Sequence, residues 1–132
     1  MQPGPVPYSD FAVHVAPTAE GGTDVAIFGE LDLATVDRVR HAIAEAILAE
    51  GEVVIDLRAC GFVDSRGIAA LVEAALRLSD QGRLLRLRGV QPRVMRTLGI
   101  AGLTKWDLLE VEPEPEPERR SGAEPKPEGG AK

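Results

Sequence analysis

The chain has 132 residues, of which 15 are basic and 21 acidic, for a net charge of −6 with both histidines neutral. That length suits one domain, 44% apolar residues are enough to bury a core, and only 4% aromatics make that core aliphatic. The acidic sum excludes a general nucleic-acid binder, whose footprint is basic, and the single cysteine, Cys60, excludes an internal disulfide and a cysteine zinc cluster.

Residues 1–10, MQPGPVPYSD, are expected to be a flexible segment, and they lack the basic and apolar regions of a signal peptide. No apolar run approaches the ~18 residues of a membrane span. The expected setting is the reducing cytoplasm, away from membranes. Phe11, Val13 and Val15 alternate, which predicts a strand covered on one side. Gly21-Gly22 makes a turn, and Val25-Ala26-Ile27-Phe28 is the second strand. From Asp32 the period changes: Leu33, Val36, Val39, Ile43 and Ile47 recur every three or four positions, predicting a helix that ends near Glu50-Gly51. Val53 to Leu57 is a run of mainly β-branched residues, suited to a central strand buried on both faces.

Ser65 to Gln81 reads as a second helix with Ile68, Leu71, Ala75 and Leu78 inward and Gly82 just past its end. Leu84–Leu87 is a strand; Pro92 opens a short helix carrying Val94 and Leu98 and ending at Gly99. Trp106–Val111 closes as a last short strand. Residues 112–132 hold five of the ten prolines and nothing larger than Ala that could anchor a core, so they read as a disordered, solvated tail. A hairpin followed by β-α-β-α-β-α-β gives an α/β domain over 11–111. Its sheet is mixed and mostly parallel, with one antiparallel edge strand and flanking helices.

The informative stretch follows the central strand, where Asp64-Ser65-Arg66-Gly67 opens a helix. In α/β sheets, partners meet the loops at the carboxyl ends of strands. Ser65 is expected to expose its hydroxyl there, beside free backbone N–H groups. Ile68 stands where a capping box needs Glu or Gln, so no such box ties the hydroxyl down. A phosphate on Ser65 would meet the helix dipole and unpaired N–H donors. The plain alternative is that Ser65 or Asp64 caps the helix. Gly29-Glu30-Leu31-Asp32 falls on the same rim, with Asp32 read as an N-cap of the first helix.

GELD at 29–32, VVIDLRACGFVDSRGIAAL at 53–71 and PRVMRTLGIAGL at 92–103 together resemble the STAS domain of anti-sigma factor antagonists. The resemblance spans roughly 11–110 and implies a bacterial, cytoplasmic regulator with no catalytic activity and no cofactor of its own. It implies Ser65 as phosphoacceptor and Asp32 as support for phosphorylation and partner contact. The implied partners are an anti-sigma factor serine kinase, which brings ATP and magnesium, and a serine phosphatase that restores the active form. Partner contacts are expected at Glu30, Asp32, Asp64, Arg66 and Gly67. Where the family often has a second Ser or Thr, this chain has Arg66, a cation beside the acceptor. The alternative is a STAS domain used as a structural subunit of a lipid-transport complex or stress-signalling scaffold, without a serine switch.

Other classes fit poorly. A serine hydrolase elbow, G-x-S-x-G, fails at Val63, and both His14 and His41 precede Ser65 instead of following it. Neither histidine has a ligand-spaced partner for a metal. A phosphoaspartate receiver lacks its acidic pair, and no G-x-x-x-x-G-K-[ST] loop is present. Between Asp80 and Asp107 stand Arg83, Arg86, Arg88, Arg93, Arg96 and Lys105 with no acid among them. That cluster is either a solvated face or a surface for an acidic partner or phosphate-bearing ligand.

Overall fold

The computed structural model describes residues 11–115. The hairpin pairs β1 (Ala12–Pro17) with β2 (Thr23–Leu31) antiparallel, Ala12 opposite Phe28 and Pro17 opposite Thr23. Helix α1 (Val36–Leu48) leads to β3 (Val53–Asp56) and β4 (Cys60–Val63), then α2 (Ser65–Ser79), β5 (Leu85–Val90), α3 (Pro92–Ile100) and β6 (Leu109–Pro113). The sheet order is β1-β2-β3-β5-β6, and every pair after the hairpin is parallel. The expected architecture, mostly parallel with one antiparallel edge, is therefore the observed one.

Four local differences have physical reasons. First, α1 begins at Val36, not Asp32. Residues 32–35 form a hydrogen-bonded turn that leaves Leu33 63% exposed instead of inward. Second, residues 60–63 form a strand, β4, where no strand was expected. Cys60 and Val63 are buried, and the strand lies alongside the far end of β2, pairing Gly29 with Cys60 and Leu31 with Val63. The register steps from Gly29↔Cys60 to Glu30↔Phe62, so Gly61 sits in a bulge. Third, α3 runs one residue past Gly99, and the left-handed residue after it is Gly102, at φ 82°. Fourth, Trp106 follows a 3₁₀ turn (Leu103–Lys105), and β6 is displaced to 109–113. The N-terminal segment, and the expected tail from residue 116 onward, lie outside the described residues.

Strand alternation sorts the sheet into two faces. Val25, Ile27, Val53, Ile55, Leu85 and Leu87 join Val39, Ile43, Leu71, Leu78, Val94 and Leu98 of the helices in one aliphatic core. Burying a side chain of this size stabilises the fold by ~1.5–3 kcal/mol before entropy is counted. Cys60 lies in the same core, and burial pushes its thiol above the ordinary value, so it behaves as a small inert apolar group.

The opposite face carries a lattice of charges across the central strands. Arg88 bonds to Asp24 and to Asp56, Arg58 clasps Asp56 at 2.8 Å, and Arg86 meets Glu52, Glu110 and Glu112 at 2.9–3.2 Å. Beneath it Val54 is 1% exposed. Asp56 also accepts the Arg58 backbone N–H, which folds the chain sharply from β3 toward β4. Burial alone would raise the Asp56 pKa. The Arg58 hydrogen bonds and the charges of Arg58 and Arg88 outweigh burial and hold it below its ordinary value of 3.8.

A carboxylate so depressed stabilises the fold at pH above its ordinary value, and that contribution is lost as pH falls through the folded-state value. We expect Asp56→Asn to cost about 1–2 kcal/mol at neutral pH. The difference from the parent should shrink once the pH falls below 3.8. Denaturant unfolding across acidic and neutral pH reads this, and a constant difference throughout would contradict it.

Candidate functional site

The rim at the ends of β2 and β4 is where the expected site residues meet. Asp64 caps α2: its Oδ1 accepts the N–H groups of Arg66 and Gly67 at 2.9 and 3.1 Å. Its Oδ2 accepts the Leu33 N–H at 3.2 Å, and its own N–H donates to Leu31 O at 3.0 Å. One carboxylate therefore fastens the helix mouth to the turn after β2. The choice between Ser65 and Asp64 as cap is resolved in favour of Asp64. Ser65 is the first residue of α2, exposed, and its hydroxyl has no hydrogen bond among the described residues.

This arrangement corrects one expectation. The Arg66 and Gly67 N–H groups are occupied by Asp64, and the Ile68 N–H by the Asp64 carbonyl. A group attached to Ser65 thus finds a filled helix mouth and a carboxylate, not a nest of open donors.

Asp32 does not cap α1. Its Oδ1 accepts the Ala34 N–H at 3.0 Å, an Asx turn, and its backbone carbonyl accepts the Val36 N–H at 2.8 Å. Thr35 is the N-cap residue by position but makes no side-chain cap bond. Instead its hydroxyl donates to Glu30 O at 2.7 Å and accepts the Asp32 N–H at 3.0 Å. The competition between Asx turn and helix is why a good N-cap residue ended up three positions early.

Asp32 and Asp64 are half-buried, Glu30 is exposed, and none of the three has an ion pair among the described residues. Arg66 is exposed beside them. Two apolar side chains on the rim escaped the sequence reading, Leu33 at 63% exposure and Phe62 at 37%. Leu33 fitted a helical spacing and so looked inward; Phe62 lay in a stretch read as loop.

Gly67 belongs to the rim differently. It is buried, and a Cβ there would lie 2.7 Å from Leu31 Cγ, 2.8 Å from Val63 Cγ1 and 3.0 Å from Leu31 O. Its lack of a side chain lets α2 close onto β2 and β4, so it sets the height of Ser65 without itself offering a contact surface. Gly67→Ala gains helix propensity yet overpacks this seam, and a net loss of about 1–2 kcal/mol is expected in thermal or urea unfolding. A gain in stability would contradict the packing described.

A family model described as "Mlab, STAS domain" matches residues 16–110. Among solved structures, an anti-sigma factor antagonist from Mycobacterium paratuberculosis is 27% identical with a TM-score of 0.68, covering 82% of this chain and 89% of that one. The phosphorylated form of the Bacillus cell fate determinant SpoIIAA is 22% identical with a TM-score of 0.59, covering 76% and 90%. A sulfate transporter family protein from Wolinella succinogenes is 21% identical with a TM-score of 0.58, covering 67% and 74%. No curated protein matches the sequence.

Proposed function

The chain belongs to the STAS domain family, and from that premise we propose that it is an anti-sigma factor antagonist switched by phosphorylation of Ser65. In this reading the rim of Glu30, Asp32, Asp64 and Arg66, with Leu33 and Phe62 beside it, docks an anti-sigma factor serine kinase in the cytoplasm and so frees a sigma factor. The kinase supplies ATP and magnesium; this chain supplies only the acceptor hydroxyl. A phosphatase returns the serine to its free form.

One observation carries the reading: Ser65 is exposed and unbonded at a helix mouth whose N–H groups Asp64 already occupies. A phosphoserine adds roughly −1.5 to −2 charge at pH 7. Placed among three carboxylates with one cation nearby, that charge meets net repulsion, and a docked interface would also have to desolvate it. A hundredfold release needs only about 2.7 kcal/mol of differential binding. Arg66 offsets part of the repulsion, which makes the switch shallower than it would be with a neutral residue there.

The direct test is to incubate the protein with candidate serine kinases and ATP and to map the phosphate by mass spectrometry. Cleavage after Arg58 and Arg66 isolates Ser65 as the only hydroxyl residue of its peptide, ACGFVDSR. Modification of that peptide is the expected result, and its absence with every kinase tried would contradict the proposal.

A second reading is favoured by the description of the matching family model and by the transporter-family neighbour. There the domain is a structural subunit, as of a lipid-transport complex, and Ser65 is never modified. Stable copurification with a membrane transporter, without phosphate on Ser65, would select it.

A further inference from the structure

The six basic residues between Asp80 and Asp107 part company in the folded chain. Arg83 donates to the carbonyl oxygens of Ile47, Ala49 and Gly51 at and beyond the end of α1. Arg86 and Arg88 are committed to the charge lattice on the sheet. Arg93, Arg96 and Lys105 remain exposed, with no ion pair among the described residues.

These three lie on the elements that border an apolar feature, two on α3 and Lys105 on the 3₁₀ turn. Arg93, Arg96 and Ile100 fall on one stripe of α3, spaced three and four apart, and Ile100 is 84% exposed. Where the stripe ends, Ala101, Gly102, Leu103 and Trp106 join Val72 of α2 around a groove of about 250 Å³. Leu76, one turn along α2 from Val72, is 48% exposed. Isolated exposed apolar residues need no explanation, but a groove flanked by exposed apolar side chains and unpaired cations does.

The geometry points to a docking surface on α3 and the 3₁₀ turn for an acidic protein segment that seats one apolar side chain beside Trp106 and sets its carboxylates against Arg93, Arg96 and Lys105. Charge complementarity selects the occupant. The concavity decides between anionic partners: a bilayer surface or a duplex backbone has no single apolar side chain to fill a groove, and a single-stranded nucleic acid would need exposed aromatics, whereas Trp106 is half-buried. The rim around Ser65 carries the opposite sign. An acidic surface that fits α3 is repelled there, so the two faces take different partners, and this inference stands whether or not Ser65 is phosphorylated.

Trp106 is the only tryptophan and lines the groove, so its emission reports occupancy. The full-length protein would be titrated with short blocked peptides of Glu and Gly around one central Leu, Ile or Phe. Matched peptides with central Ser, phosphatidylglycerol vesicles and duplex DNA serve as alternatives. The expected result is a saturable Trp106 shift with the apolar-centred acidic peptides and a far weaker one with the Ser version. Affinity should drop about tenfold or more in Arg96→Glu and in Lys105→Glu, and stay unchanged in Ser65→Asp. Both charge reversals are at exposed positions, and an unchanged melting temperature verifies that they fold. No shift with any acidic peptide, equal affinity in the charge-reversed variants, or preferential binding of vesicles or DNA would overturn the inference.

Discussion

Ser65→Asp is expected to weaken binding to the partner kinase at least about a hundredfold, equivalent to about 2.7 kcal/mol, while Ser65→Ala binds like the parent and resists release by ATP. The asymmetry follows from the site. The Ser65 hydroxyl makes no hydrogen bond among the described residues, so removing it leaves nothing unsatisfied. Adding a carboxylate places a fourth negative group on a rim that already holds Glu30, Asp32 and Asp64. Because both changes are at an exposed first-turn position, neither should alter stability by more than ~0.5 kcal/mol. Binding measured by calorimetry or interferometry, beside a melting curve, separates the two effects. Asp binding as tightly as Ser would remove the electrostatic basis of the switch. Arg66→Ala in the Ser65→Asp background should deepen the loss, since the one offsetting cation is gone.

The second large effect is expected at Asp64. Asp64→Ala deletes the cap bonds to Arg66 and Gly67 and the bond from Leu33, and should cost about 2–3 kcal/mol of stability. Asp64→Asn is the more informative variant. Asn remains a good N-cap through its carbonyl oxygen, but its NH₂ group cannot accept from the Leu33 N–H. It should therefore lose about 1 kcal/mol or less while freeing the 32–35 turn from the helix mouth. Urea unfolding gives the first quantity; amide exchange at Leu33 gives the second, which should accelerate in Asn and Ala alike. Equal stability of all three proteins would mean that the bonds at this helix mouth are not holding the rim together.

What the sequence discloses here is whatever depends on near neighbours. Alternation marked β1, the β-branched run marked β3, and the three-and-four spacing of Val36, Val39, Ile43 and Ile47 marked α1. The D-S-x-G stretch placed Ser65 at a helix start. The misses share a cause, which is that the deciding partner is far along the chain. β4 is four residues long with a bulged Gly61, and it counts as a strand only because β2 continues past Gly29 to meet it. Leu33 has the right spacing for α1, but Asp64, 31 residues later, accepts its N–H and holds the turn open. Asp56 shows no sign in the sequence of its bond to Arg88, 32 residues away, or of sharing that arginine with Asp24. Likewise the basic cluster read as one feature, until cross-strand pairing took up Arg86 and Arg88 and the carbonyls past the end of α1 took up Arg83.

The proposed switch requires phosphate at Ser65 to act by repulsion across a docked interface. The most direct measurement takes one preparation of the protein and determines its affinity for the partner kinase before and after enzymatic phosphorylation, then again after phosphatase treatment. A loss of about a hundredfold or more, fully restored by the phosphatase and strengthened as ionic strength is lowered, is the predicted result. An affinity that stays the same with Ser65 fully phosphorylated would contradict it.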